Sequence, residues 1–243
     1  MQVVDVGLMA AGAAALVGAG VYGAMAPGSQ LFGRTLVAGR DPRELALTFD
    51  DGPNGDTTER TLELLARNNV QATFFLVGRY VLAQPVLTRR IVELGHTVGN
   101  HTMTHPRLLA LGPEATRAEI ADCAKAIADA TGVEAKIFRP PFGGRWPHTL
   151  RVVRELGLTP VMWNAMGFDW REKDAAVISA RLARGMEGNR AAGRATNFLL
   201  HDGSHAGMGA NREATLGAVE LVLQKYAATS RFVTVDAWIN PGR

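Results

Sequence analysis

The sequence predicts an α/β fold built on a parallel sheet, and three observations predict it. From residue 44 onward, seven short runs of strand-like composition alternate with six amphipathic helical patterns. A parallel strand pair needs a crossover of a dozen or more residues, and an intervening helix supplies it. The polar motifs also sit in one place relative to the strands. Asp50-Asp51, His101 to His105, Arg139, Asp169-Trp170 and His201-Asp202 each come at or shortly after the end of a strand-like run. In a parallel barrel that is the carboxyl edge, where such folds build their sites. A nearly closed barrel and an open doubly wound sheet both fit the count.

The chain begins with an uncharged run, Val6 to Ala26, rich in Ala, Gly, Val, Leu and Met. Its length is about that of a bilayer span. Ala24-Met25-Ala26 before Pro27 resembles a small-x-small cleavage site, although no basic residue precedes the run. A cleaved signal and a retained membrane anchor compete evenly, a buried helix is a third and lesser option, and residues 1–30 are set apart on that basis. Either of the first two fates puts the protein outside the cytoplasm, in the periplasm, the cell envelope or the medium. Residues 31–43 read as a polar, irregular lead-in, and residues 44–240 as one domain without repeats or linkers.

The strand-like runs are Leu45–Phe49, Gln71–Val77, Thr97–Asn100, Ala135–Phe138, Leu158–Trp163, Asn197–Leu200 and Arg231–Val235. Thr57 or Thr58 opens the first helical pattern. Pro85 starts the second, which carries Leu87, Ile91 and Leu94 and stops at Gly95. Pro113 starts a helix through Ile120 and Ile127 to Gly132, and Pro147 opens the next. Asp174 caps a helix with Ile178 and Leu182 inward, ending at Gly185, and Asn211 caps the last, with Leu216, Val219 and Leu223 on one face. Arg184 to Thr196, with three glycines, reads as a long turn.

The composition excludes several classes. A net charge of +3 with no dense block of Lys or Arg among aromatics argues against nucleic-acid binding. The single cysteine, Cys123, allows no intrachain disulfide and falls in phase with Ile120 and Ile127 as a core thiol. No G-x-G-x-x-G follows the first strand, so a nucleotide cofactor is not indicated.

Read alone, Asp50-Asp51-Gly52-Pro53 is a polar turn at a strand end. His101 and His105, four residues apart, would share one face of a helical turn, as two ligands of one metal must. With Asp51 they form a His₂Asp set that suits Zn²⁺ and leaves a coordination position open. Asp50 is then the spare carboxylate, a candidate base, and His201 a candidate general acid. His96, His148 and His205 read as structural or solvated histidines. Trp146, Trp163 and Trp238 read as packing residues.

Together these residues resemble the polysaccharide deacetylases with a NodB-type domain, family 4 of the carbohydrate esterases, over roughly Glu44 to Ile239. Thr48-Phe49-Asp50-Asp51-Gly52-Pro53 is similar to that family's first motif, which implies Asp50 as base and Asp51 as metal ligand. His101-Thr102-Met103-Thr104-His105 is similar to the second, which implies both histidines as ligands. Arg139-Pro140-Pro141-Phe142-Gly143 resembles the third, with Arg139 orienting the base and Pro141 and Phe142 in a groove wall. Asp169-Trp170 resembles the fourth, with Asp169 against the catalytic histidine and Trp170 lining the acetyl pocket. Leu199-Leu200-His201-Asp202 resembles the fifth, with Leu199 in the pocket and His201 as acid. The resemblance implies a distorted, incomplete (β/α) barrel. It implies an enzyme that uses a divalent metal, Zn²⁺ or else Co²⁺, to remove N-acetyl groups from amino sugars of a peptidoglycan- or chitin-like polysaccharide; the alternatives are the same machinery on a non-sugar amide or an O-acetyl ester, or a glycan-binding protein that kept the fold without the chemistry. The partner is thus an acetylated glycan, and a monomer is expected. One position departs from the pattern: Met166 stands where many members carry another Asp, which bears on the groove rather than on hydrolysis.

Overall fold

The computed structural model describes residues 6–239, with side chains from Leu16 onward. In chain order the elements are α1 (Val6–Met25), β1 (Glu44–Gly52), α2 (Asp56–Arg67), β2 (Thr73–Leu76), α3 (Gly78–Ala83), α4 (Pro85–Glu93), β3 (Thr97–Asn100) and α5 (Pro113–Thr131). Then follow β4 (Ile137–Phe138), α6 (Pro147–Glu155), β5 (Thr159–Pro160), β6 (Ala165–Met166), α7 (Ala175–Ala191), β7 (Thr196–His201), α8 (Glu213–Tyr226) and β8 (Arg231–Phe232). The strands run β5-β4-β3-β2-β1-β7-β6, all pairings parallel, with β8 against the start of β1. The sheet curls without closing, which is the distorted, incomplete barrel expected. The gap between β5 and β6 is spanned by the lead-in. Leu36 N–H donates to the Pro160 carbonyl, Met162 N–H donates to the Leu36 carbonyl, and Asn197 Nδ2 donates to the Val37 carbonyl.

β1 lies inside the sheet between β2 and β7 and is buried along its whole length. Leu45, Leu47 and Phe49 point outward into the main core beneath the helices, with Phe49 stacked 5.1 Å from Phe74. On the other face Ala46 joins Phe75, Ile137, Val161 and Val235 inside the barrel. Thr48 and Asp50 continue that inner face toward the carboxyl edge. A strand that is apolar on one face and carries Thr and Asp on the other thus places a carboxylate in the barrel mouth. Burial of the three outward side chains contributes about 1.5–3 kcal/mol each. That is ample to hold a strand whose next residue, Asp51, sits at φ 71°, a cost of order 1–3 kcal/mol.

The helix punctuation follows the sequence signals in most places. Asp174 accepts from the Ala176 and Val177 amides and Gly132 closes α5 at φ 73°, whereas the N-cap of α8 is Arg212, one residue after the expected Asn211, which still accepts from Glu213 N–H. Three elements differ from expectation. α7 does not stop at Gly185 but runs to Ala191, because a bare Cα is what lets it pack on β6. A Cβ at Gly185 would lie 2.8 Å from Ala165 Cβ. The supposed long turn at 184–196 is therefore mostly helix. β6 and α3 are too short for periodicity to predict them. Cys123 is buried in the core, its thiol pushed up to about 12 by burial.

The end of α1 is docked on the domain. Ala24 and Ser29 are buried, and the buried Arg145 donates to the carbonyls of Ala26, Ser29 and Gly143. Met1 to Asp5, and the side chains of the first half of the apolar run, lie outside the described residues. Among the described residues, no helix is long and apolar enough to cross a membrane.

Candidate active site

The carboxyl edge of β1, β3, β4 and β7 meets in a cavity of about 420 Å³. It is lined by Asp50, Asp51, His101, His105, Phe142, Trp163, Trp170, Leu199 and His201, among others. Asp50 and Asp51 are adjacent yet point to different places. Asp50 keeps the inward direction of the strand, while Asp51, in the left-handed region, turns its carboxylate across the mouth. The Gly52–Pro53 peptide that follows is cis.

His101 and His105 do not lie on a helical turn. They sit in an irregular loop in which Thr102 (φ 70°) and His105 (φ 62°) are left-handed. The Thr102 hydroxyl accepts from His105 N–H at 3.1 Å, and Asn100 Oδ1 accepts from Thr102 N–H at 3.0 Å. The result resembles what a helix would give, with the two rings 4.8 Å apart. His101 Nδ1–H donates to the Arg139 carbonyl at 2.7 Å, which leaves Nε2 bare and aimed at Asp51. Burial pushes the His101 imidazole down to about 4, so it is neutral and fit to be a ligand.

Asp51 Oδ1 lies 3.6 Å from His101 Nε2 and 3.1 Å from His105 Nε2, and it is buried with no hydrogen-bond donor. One ligand atom from each of the three residues falls within 4.8 Å of the others. Burial opposes ionisation of Asp51, but the His105 contact and the fields of His201 and His101 hold its carboxyl well below the usual range. A bare carboxylate oxygen facing two imidazole nitrogens is a donor set that fits one divalent cation.

Arg139 is fully buried inside the barrel, its guanidinium 4.1 Å above the Phe75 ring. It donates to Thr48 Oγ1 and to Asp50 Oδ1, both at 2.7 Å. The other oxygen, Asp50 Oδ2, is 3.8 Å from His101 Nε2 and free for a proton. Across the mouth, His201 Nδ1–H donates to Asp169 Oδ1 at 3.0 Å. Asp169 Oδ2 accepts from His201 N–H and from Thr215 Oγ1. Burial alone would push the His201 imidazole down. The charge and hydrogen bond of Asp169, with Asp51 and Asp50 further off, outweigh it and raise the group to about 9.

Trp170, Leu199 and Phe142 line the cavity as the motifs suggested, whereas Pro140 rather than Pro141 faces it. Pro141 is buried in the turn that sets Phe142 at φ 56°. Trp163 is part of the lining and packs with Met162 and Leu199. Met166 packs against the same apolar group, so the place of the missing Asp is filled by hydrophobic contact. Of the remaining histidines, His96 is structural: buried, it accepts from Ala72 N–H.

Three neighbours touch the site in ways that their sequence spacing does not specify. His205 N–H donates to Asp51 Oδ2 at 3.1 Å, and its ring stacks on His105 at 5.2 Å. Asp202 is buried under β1, accepts from Thr58 Oγ1, and is pushed up to about 7 by burial. Gly203 is where the loop crosses β1, and a Cβ there would overlap the Asp51 carbonyl oxygen. Gly203→Ala is therefore expected to displace Asp51 and lower metal affinity by about 10–100-fold, the range seen when the surroundings of a ligand are disturbed. Titration of the purified variant with Zn²⁺ against a chromogenic chelator checks this, and wild-type affinity would show that the loop yields instead.

A set of three side chains that could hold a cation, beside a fixed carboxylate and an imidazole held by its own carboxylate, is an arrangement suited to hydrolysis. The family comes from comparison. The profile described as polysaccharide deacetylase matches residues 38–161. The chain is 40% identical over 167 residues to a chitooligosaccharide deacetylase of Rhizobium leguminosarum, covering 68% of this chain and 74% of that one. It is 34% identical over 194 residues to the peptidoglycan-N-acetylglucosamine deacetylase of Listeria monocytogenes, covering 80% of this chain but only 38% of that enzyme's length. Among solved structures, a family 4 carbohydrate esterase from Streptomyces lividans in complex with acetate superposes with a TM-score of 0.68 at 32% identity, over 80% of this chain and 95% of that one. The chain belongs to the polysaccharide deacetylase family.

Proposed function

We propose that the protein is a metal-dependent N-deacetylase of an acetylated envelope glycan, with Asp51, His101 and His105 holding Zn²⁺. The observation that carries this reading is the bare, buried Asp51 Oδ1 facing two imidazole nitrogens, with Asp50 beside it and His201 across the mouth. When bound, Zn²⁺ supplies Lewis acidity, polarising the acetamide carbonyl and lowering the pKa of water to about 7. The rest falls to the chain. Asp50, held by Arg139, takes the proton from the attacking water at Oδ2. His201, charged through its pairing with Asp169, gives the proton from Nε2 to the departing amine nitrogen. Trp170 and Leu199 form the apolar end that receives the acetyl methyl, and Trp170 packs edge-on against the His201 ring at 5.4 Å.

Relatives named for peptidoglycan and for chitooligosaccharides support an extracytoplasmic glycan as substrate. The apolar segment at the start supports export.

Removal of metal by a chelator is expected to abolish acetate release from N-acetylated oligosaccharides, and Zn²⁺ or Co²⁺ to restore it. His105→Ala should lower bound zinc by elemental analysis in parallel with activity. Full activity in a preparation that contains no metal would sink the reading.

A further inference from the structure

The cavity rim carries one cation that the chemistry above leaves unused. Arg107 lines the cavity, is exposed, and lies with its guanidinium carbon 4.6 Å over the Phe142 ring. Among the described residues it has no ion-pair partner. Arg60, Arg90, Arg117, Arg181 and Arg231 each face a carboxylate. The neighbouring arginines of the same region are committed to backbone. Arg79 donates to the His205 carbonyl and Arg212 to the Gly203 carbonyl, so both serve to hold the loop that carries His205.

Among the described residues no free carboxylate competes for Arg107 at the mouth. The cavity is lined by two acids, Asp50 and Asp51, and both are buried and engaged, one by Arg139 and the other by histidines. The platform under the guanidinium is also fixed. Phe142 is held in the left-handed region, edge-on to His105 at 4.7 Å and to His205 at 5.2 Å. A stacked arginine offers its planar fork in a set direction, and that fork matches a carboxylate. A neutral sugar has nothing that requires it.

Resting on the deacetylase reading above, we propose that Arg107 is a specificity-determining residue that receives a carboxylate carried by the glycan next to the acetamide being cleaved. The preferred substrate is then an acid-bearing glycan, such as one containing N-acetylmuramic residues with free lactyl carboxylates, over a neutral N-acetylglucosamine oligomer.

The test uses the full chain loaded with Zn²⁺ and two tetrasaccharides of equal length, one all N-acetylglucosamine and one alternating with N-acetylmuramic acid. Wild type should favour the acidic oligomer in kcat/KM, and the preference should weaken as salt is raised. In Arg107→Gln the ratio of kcat/KM between acidic and neutral oligomers should fall about tenfold, mainly through KM, the scale of one charge-assisted hydrogen-bond pair. Arg107→Lys, which keeps the charge and loses the fork, should recover part of that ratio. Because the ratio is taken within one variant, a general disturbance of Phe142 cancels. Acetate released from both oligomers with an unchanged ratio overturns the role of Arg107 and leaves the deacetylase reading standing. Acetate from neither overturns both.

Discussion

Asp50→Asn is expected to keep bound zinc near the wild-type level and to lose about 10²–10⁴-fold in kcat, the range for a positioned general base. Asn is the same size and can still accept from Arg139 Nη1 through its amide oxygen, so the geometry at 2.7 Å is largely preserved. What it lacks is a basic oxygen at the place of Oδ2. Asp51→Asn is expected to behave in the opposite order, since Asp51 Oδ1 is the buried oxygen without a donor. Its zinc content should fall first and its activity with it. Measuring zinc by elemental analysis beside acetate release separates the two aspartates. Equal zinc loss in both variants would show that their roles have been confused.

Stability is the complication in that experiment. Arg139 is wholly buried, and among the described residues Asp50 is the one carboxylate it bonds. Leaving a buried charge without its partner costs on the order of 3–5 kcal/mol. Asp50→Asn should therefore unfold at lower denaturant concentration than wild type, while at low denaturant it stays folded and binds zinc. Thr48 Oγ1 and the Met162 carbonyl still accept from Arg139, which limits the loss. A kcat loss measured well below the unfolding transition belongs to chemistry.

The residues that could be read in the sequence are those whose chemistry is local. Two carboxylates at a strand end, two histidines four apart and His-Asp after a strand each announce a site by type and spacing. Placing them on one sheet edge needed only the alternation of strands and helices. What could not be read depends on contacts far along the chain. Gly185 looks like a helix stop, but its bare Cα is used against Ala165. His105 looks like a helical partner of His101, but a left-handed backbone and a threonine hydroxyl bring the rings together. Pro140 and Pro141 differ by one position, and only the turn around Phe142 decides which faces the cavity. His205 and Arg107 lie in loops whose composition gives no sign that they approach His105 and Phe142.

In Asp169→Asn the alkaline limb of the rate profile is expected to move to lower pH, with zinc content unchanged. His201 must carry a proton when the amine leaves. It is held at about 9 because Asp169, with help from Asp51 and Asp50, outweighs the burial that would otherwise push it down. Asparagine removes the nearest of those charges, so burial is opposed less and the imidazole titrates at lower pH. The charged fraction then falls first at the alkaline end, and the loss at pH 8 should reach about 10²–10⁴-fold, with partial recovery in mild acid. Stability supplies a second readout with the same sign. A histidine whose folded value is raised contributes stability that is fully present below its unfolded value of about 6.5 and is lost as pH rises through about 9. Wild type should accordingly lose stability across that window in denaturant titrations, and the variant should show a much flatter dependence there. The hydrogen bonds from Thr215 Oγ1 and His201 N–H to Asp169 Oδ2 would pass to the amide oxygen, so the fold itself is expected to persist. If the alkaline limb of the variant coincides with that of wild type, Asp169 does not set the protonation of His201, and another group must supply the proton.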